Sequence, residues 1–201
     1  RLWNVPQRYA LAVEATPPPR AALLPHIWLS DEEIRQGQRL LEQLPDKAGT
    51  PPIALHPYAT HPDKAWKEAY WRQLMELFES RGIPWIVIGR GSGMEGIPAS
   101  CNFTNRTSLR ETCALLKSSS LLITGDSGPM HLAGAVGTPV LALFGPTTEE
   151  WGFFPAGPKD RVLESQLDCR PCTLHGKKHC DRNHACMQSI TPEQVMRALD
   201  E

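Results

Sequence analysis

The stretch Gly125–His131, GDSGPMH, crowds an acid, a hydroxyl, two glycines, a proline and an imidazole into seven residues. It follows the apolar run Leu121–Thr124 and precedes another, Pro139–Phe144. Asp126 and Ser127 are both good helix N-caps. Gly128 leaves the backbone open, and Pro129 at a first-turn position needs no N–H. The neighbouring amides can then face an anion such as a diphosphate. His131 lies four residues past Ser127, about one helical turn on and on the same face. The plain alternative is a capped helix start with a satisfied core histidine. Hydroxyl, amides and imidazole in one place favour a ligand site, with Asp126, Ser127, Gly128 and His131 as candidates.

Three other segments carry related groups. HPYATHPDKAWKE packs Tyr58, Thr60, His61 and Lys64 between His56 and a helix start near Trp66. A lysine just before a helix N-terminus opposes the dipole unless an anion bridges the two. A solvated lysine in a polar loop is the equal alternative. GRGSGMEG places Gly89, Gly91 and Gly93 after an apolar run, short of a full G-x-G-x-x-G fingerprint. Its Glu95 could accept two ribose hydroxyls, or be an exposed glutamate on a flexible loop. In FGPTTEEWGFFP, Gly145, Pro146, Thr147 and Thr148 can extend the same cleft.

Regular elements must place these loops. Ser30 with Glu33 is a capping box that opens a helix. Ile53–His56 reads as a short buried strand. Lys67–Arg81 carries Trp71, Leu74, Met75 and Phe78 at i, i+3, i+4 and i+7, which predicts an amphipathic helix. Trp85–Ile88 is a second strand, and Ser108 with Glu111 caps a helix to about Lys117. Leu121–Thr124 is a third strand, Pro129–Val136 a short helix, and Pro139–Phe144 a fourth strand. Thr191, Pro192 and Gln194 open a final helix over 191–200. Residues 1–29 read as irregular. Strands and helices alternate, and the strands are continuous apolar runs. That pattern predicts an α/β fold, a parallel sheet covered by helices on both faces. Such sheets bind ligands beyond the carboxyl ends of their strands, where all four segments fall.

The chain has 201 residues, 41% hydrophobic, with a formal net charge of −1. These values fit one sizeable globular domain and argue against disorder or a nucleic-acid partner. No apolar run approaches the roughly 20 residues of a membrane helix. Prolines cluster in Thr16–Arg20 and Thr50–Pro57, which read as extended connectors. The first residue is Arg1 rather than Met, which fits a fragment or a processed chain.

Cys169, Cys172, Cys180 and Cys186 fall within eighteen residues, with His175, His179 and His184 among them. A C-x2-C pair with two further thiols can hold a structural zinc. A five-residue gap replaces the second close pair, so free thiols or a disulfide are the other readings. Arg170, Lys177, Lys178 and Arg182 surround the cluster. They could meet an anionic acceptor or a membrane surface, or form a solvated basic loop.

Taken in order, HPYATHPDKAWKEAYWRQL, the run from NFTNRTS through GDSGPMHLAGAVGTPVLALFGPT, and ITPEQVMRAL resemble the C-terminal half of glycosyltransferase family 9. These are the ADP-heptose:lipopolysaccharide heptosyltransferases. The resemblance covers roughly residues 50–200, and residues 1–45 look like the linker and helix between the family's two domains. It implies a GT-B enzyme with two Rossmann-like halves, in which residues 46–201, including a Cys-rich loop at 168–187, bind the nucleotide sugar. By matching position, Lys64 would bind the diphosphate, with Thr60 beside it. Asp126, Ser127 and Gly128 would contact diphosphate and sugar, His131 the sugar side, and Glu95 the ribose. Transfer in this family needs no metal, so zinc would be structural only. The catalytic base is an aspartate in a glycine-rich loop of the other domain, and these residues hold no such loop. The chain therefore reads as a donor-binding half, inactive by itself. A lipopolysaccharide core acceptor implies a cytoplasmic protein with peripheral association at the inner face of the inner membrane. Two alternatives remain: a GT-B enzyme for another activated sugar, and a zinc-stabilised, non-enzymatic interaction module.

Overall fold

The computed structural model describes residues 3–45, 49–173 and 180–200. The elements are α1 (Val5–Ala10), α2 (Asp31–Leu41), β1 (Ile53–His56), α3 (Glu68–Ser80), β2 (Trp85–Val87) and α4 (Leu109–Lys117). They continue with β3 (Leu121–Gly125), α5 (Gly128–Val136), β4 (Val140–Phe144), β5 (Arg161–Glu164), α6 (Ala185–Gln188) and α7 (Pro192–Asp200).

Local chemistry starts the helices. Ser30 and Glu33 exchange bonds at the head of α2, 2.8 Å and 3.3 Å. Ser108 and Glu111 do the same for α4, 2.8 Å and 3.2 Å. Thr191 and Gln194 repeat it before α7, 2.7 Å and 3.3 Å. Residues 1–29 are not all irregular: α1 is opened by Asn4 and Gln7, a reciprocal cap built from two amides. Gly37 lets α2 lie close on α4, because a Cβ there would sit 2.7 Å from the Ala114 carbonyl group.

The five strands are all parallel, in the order β2-β1-β3-β4-β5. Alternate residues of each strand enter different cores. Ile53, Leu55, Val87, Ile123, Leu141 and Leu143 pack with Trp71, Leu74 and Phe78 of α3 and Val195 of α7. Ala54, Ile86, Leu122, Val140 and Ala142 pack with Leu115 and Leu116 of α4 and Met130 and Ala133 of α5. Both faces are covered, so both sets are apolar, and the strands read as unbroken runs. The exception is β5, an edge strand whose four residues are all partly exposed. Its sequence, RVLE, carries no such run, which is why it escapes a periodicity reading.

The strand order reverses direction between β1 and β3. In an open parallel sheet this switch point opens a crevice outside the strand ends, where ligands bind.

Candidate functional site

β1 and β3 lie side by side, with His56 in register with Thr124. Both chains leave the sheet here. After β1, a short 3-10 turn at Pro62–Lys64 carries Lys64 back over the end of β3. A Cβ on Gly125 would sit 3.5 Å from the Lys64 carbonyl oxygen. Lys64 Nζ then lies 2.6 Å from Asp126 Oδ2, with the two side chains 14% and 16% exposed. Two loops far apart in sequence thus place one cation and one anion at the switch point.

Neither Asp126 nor Ser127 caps α5 with its side chain, which corrects the expectation from sequence. Ser127 holds the N-cap position without a side-chain bond to the helix. The reason is local. Pro129, the second helical residue, has no N–H, and Met130 N already donates to the Ser127 carbonyl at 3.2 Å. The usual targets of a capping hydroxyl are absent or occupied. Ser127 Oγ turns instead toward Thr124 Oγ1 at 2.9 Å, His56 Nδ1 at 3.3 Å and the Gly125 carbonyl at 3.3 Å. The start of α5 stays open: a Cβ built on Gly128 would meet nothing within 4 Å.

Thr60, Ser127 and Gly128 line one cavity of about 430 Å³, together with His56, Tyr58 and Arg90. Asp126 directly precedes Ser127, but neither Asp126 nor Lys64 is among the residues that line this cavity. His131 faces a neighbouring cavity of about 290 Å³, with Met130, Phe153 and Phe154. Burial lowers the His131 pKa, and the Asp126 charge acts in the opposite sense. Glu95 lies outside both. It is exposed on its glycine loop, and its carbonyl accepts a 2.8 Å bond from Arg72. The hydroxyls of Thr147 and Thr148 are buried in the fourth loop without a hydrogen-bond partner among the described residues.

His56 and Tyr58 belong to the cavity wall and were not among the expected site residues. Burial pushes the His56 pKa down to about 4, so the ring is neutral at pH 7. The Tyr58 hydroxyl lies 2.6 Å from Thr104 Oγ1, and burial raises its pKa. A histidine closing an otherwise apolar strand was the available signal for His56.

Cys169, Cys172, Cys180 and Cys186 line one small cavity of about 20 Å³ with Asp63 and His184. His184 Nε2 lies 2.9 Å from Asp63 Oδ1, and its backbone N–H donates to Cys180 Sγ at 3.2 Å. Among the described residues no three such groups converge closely enough to hold a metal ion. His175, His179, Lys177 and Lys178 lie outside the described residues. Arg170 is not part of a solvated basic loop. Its side chain is 4% exposed and bonds Glu164 at 2.8 Å, the Thr147 carbonyl at 2.9 Å, and the Gly145 and Ser165 carbonyls. Arg182 pairs with Asp168.

The family model for glycosyltransferase family 9 (heptosyltransferase) matches residues 5–181. Lipooligosaccharide heptosyltransferase 2 of Haemophilus influenzae is 29% identical, over 97% of this chain and 61% of its own length. Lipopolysaccharide heptosyltransferase 1 of Pseudomonas aeruginosa is 35% identical, over 69% of this chain and 40% of its own. The chain thus spans less than two thirds of these relatives. Among solved structures, a family 9 glycosyl transferase from Veillonella parvula superposes with a TM-score of 0.67 at 24% identity, over 87% of this chain and 52% of that one. ADP-heptose lps heptosyltransferase II of Escherichia coli gives 0.64 at 23% identity, over 89% and 53%. These likenesses give the sheet its place as one Rossmann-like half of a GT-B fold. With the family model matched along most of its length, the chain belongs to glycosyltransferase family 9.

Proposed function

We propose that this chain is the nucleotide-sugar-binding half of a glycosyltransferase that moves heptose from ADP-heptose to a lipopolysaccharide core acceptor. The observation that carries the reading is the Lys64–Asp126 pair beside the open N-terminus of α5, at the switch point of the sheet. A lysine ammonium has three N–H donors. Asp126 takes one, which leaves two for phosphate oxygens. The Gly128 amide and the positive end of α5 supply the rest of an anion site. Fixed donors of this kind take up the charge that develops on a diphosphate as its bond to the sugar breaks. No metal is required for that step. Thr60 lies beside the diphosphate, and Asp126 and His131 face the sugar. Glu95 reaches a ribose only by folding of its glycine loop, whose Gly93 and Gly96 sit at φ +83° and +74°.

In this reading the acceptor and the base that deprotonates it belong to the other half of the fold, and the half described binds donor without transferring it. A lipid-linked acceptor places the enzyme at the inner face of the cytoplasmic membrane. We read that association as peripheral; among the described residues no helix is long and apolar enough to cross a membrane. The heptosyltransferase names of the relatives support the choice of sugar and acceptor. Family membership sets the non-enzymatic module aside.

Titration calorimetry with ADP, UDP and GDP tests the proposal. ADP binds tightest, and Lys64→Ala weakens it about 10- to 100-fold, the worth of one charge-assisted hydrogen bond. His131→Ala weakens an ADP-sugar more than ADP. Tighter binding of UDP or GDP points to another activated sugar. No binding of any nucleotide by a folded sample refutes the reading.

A further inference from the structure

One buried group in the cavity wall has no part in that account. His56 closes β1, is 6% exposed and lines the cavity. Its Nδ1 lies 3.0 Å from Thr124 Oγ1 and 3.3 Å from Ser127 Oγ. The two hydroxyls are 2.9 Å apart, and both reach the Gly125 carbonyl, at 3.1 Å and 3.3 Å. Either neutral tautomer of His56 can link the three side chains, and we assign the one that also satisfies the Gly125 carbonyl. Two hydroxyls bring two protons, and a neutral imidazole adds a third only if Nδ1 carries it. The cluster then runs without a gap: Nδ1–H donates to Thr124 Oγ1, Thr124 O–H to Ser127 Oγ, and Ser127 O–H to the Gly125 carbonyl. This order uses the shorter of the two contacts to Nδ1. It leaves Nε2 as a bare acceptor.

Nε2 has no hydrogen-bond partner among the described residues. Its edge of the ring lies against Gly89, where a Cβ would come 2.9 Å from Nε2 and 2.5 Å from Cδ2. Glycine at that position, at φ +120°, keeps the edge uncovered. Burial keeps the ring neutral, so it offers a lone pair rather than a charge.

We propose that His56 is a ligand-binding and positioning residue: Nε2 accepts a hydrogen bond from a hydroxyl or amine of the bound nucleotide, while Nδ1–H fixes Thr124 and Ser127. The inference rests on the nucleotide-binding reading above. Phosphate oxygens are acceptors at neutral pH and would repel a bare Nε2. The donor is therefore a ribose hydroxyl or an amino group of the base.

The test compares ADP, 2′-deoxy-ADP, 3′-deoxy-ADP and inosine diphosphate by calorimetry, on wild type and His56→Asn. Asparagine keeps an N–H where Nδ1–H stood and removes Nε2. His56→Asn binds ADP about 3- to 10-fold more weakly, the loss of one neutral hydrogen bond. One analogue binds wild type more weakly than ADP does, and its identity names the donor. That penalty vanishes in His56→Asn. An equal loss for all four nucleotides, or wild-type affinity throughout, overturns the inference. Nitrogen-15 NMR of the wild-type imidazole supplies a check that needs no variant to fold. Nδ1 is protonated, and the Nε2 resonance moves on adding ADP; a ring protonated at Nε2 overturns the inference. Failure of ADP to bind wild type removes the functional reading itself, whereas ADP binding without a His56 signature removes this inference alone.

Discussion

Acidification isolates the energetic consequence of burying His56. Its pKa falls from 6.5 to about 4, and the cause is desolvation. The folded chain therefore resists protonation, while the unfolded chain takes up a proton near pH 6.5. Between those two values the unfolded state binds more protons, so stability falls as the pH falls. Each pKa unit corresponds to about 1.4 kcal/mol. The full shift is thus worth about 3 kcal/mol, and about 2 kcal/mol of it is lost between pH 7 and pH 5. For a domain with a total stability of about 5–15 kcal/mol, this is a large share. The assay is urea unfolding at pH 7, 6 and 5, on wild type and His56→Asn. His131, whose pKa is also lowered by burial, contributes in the same direction to both proteins and cancels in the comparison. Wild type loses about 2 kcal/mol more than the variant over this range. Equal losses in the two proteins would refute the assignment of a neutral, buried His56.

Three further outcomes follow from particular contacts. Gly37→Ala gains about 1 kcal/mol of helix propensity but drives a Cβ into the Ala114 backbone, and overpacking of this kind costs about 1–3 kcal/mol. The net effect is a lower melting temperature, and a higher one would contradict the close α2–α4 contact. Arg170→Ala leaves Glu164 and several carbonyls without their donor, and removing one partner of such a buried pair costs about 3–5 kcal/mol. Urea unfolding that shows less than about 1 kcal/mol would mean the guanidinium is solvated instead. Metal analysis of the purified chain addresses the four thiols around one cavity: because no three such groups converge closely enough among the described residues, no stoichiometric zinc is expected, and one equivalent, lost in Cys172→Ser, would contradict that.

What the sequence reveals follows from how local each cause is. Capping boxes at Ser30, Ser108 and Thr191 join residues only three apart, and each forms where its residues stand. The buried strands are legible because both faces of the sheet are covered. β5 and α1 are not, since one is a half-exposed edge and the other is capped by a less usual Asn and Gln pair. At the site, the residue types of Lys64, Asp126, Ser127 and Gly128 stand out, but their partners do not. The Lys64–Asp126 pair depends on strand order, which no single segment encodes. The absence of a side-chain cap on α5 depends on what Pro129 lacks and what Met130 already bonds. Glu95 has the right chemistry, but it is exposed on its loop and lines neither of the two cavities.

The ion pair also bears on how an anion would be held. Lys64 and Asp126 together are neutral, so this pair does not attract a diphosphate by net charge at long range, and Arg90 in the cavity wall is the cation that does. At contact, the two remaining N–H donors of Lys64, the Gly128 amide and the dipole of α5 would add to that attraction. Asp126 would then hold Lys64 in place rather than compete for it. In the donor-binding reading its Oδ1, with no partner among the described residues, would accept from a sugar hydroxyl. A free lysine would bind any phosphate that came near. A lysine already pinned by a carboxylate favours a ligand that presents phosphate oxygens on one side and hydroxyls on the other, which is the pattern of a nucleotide sugar.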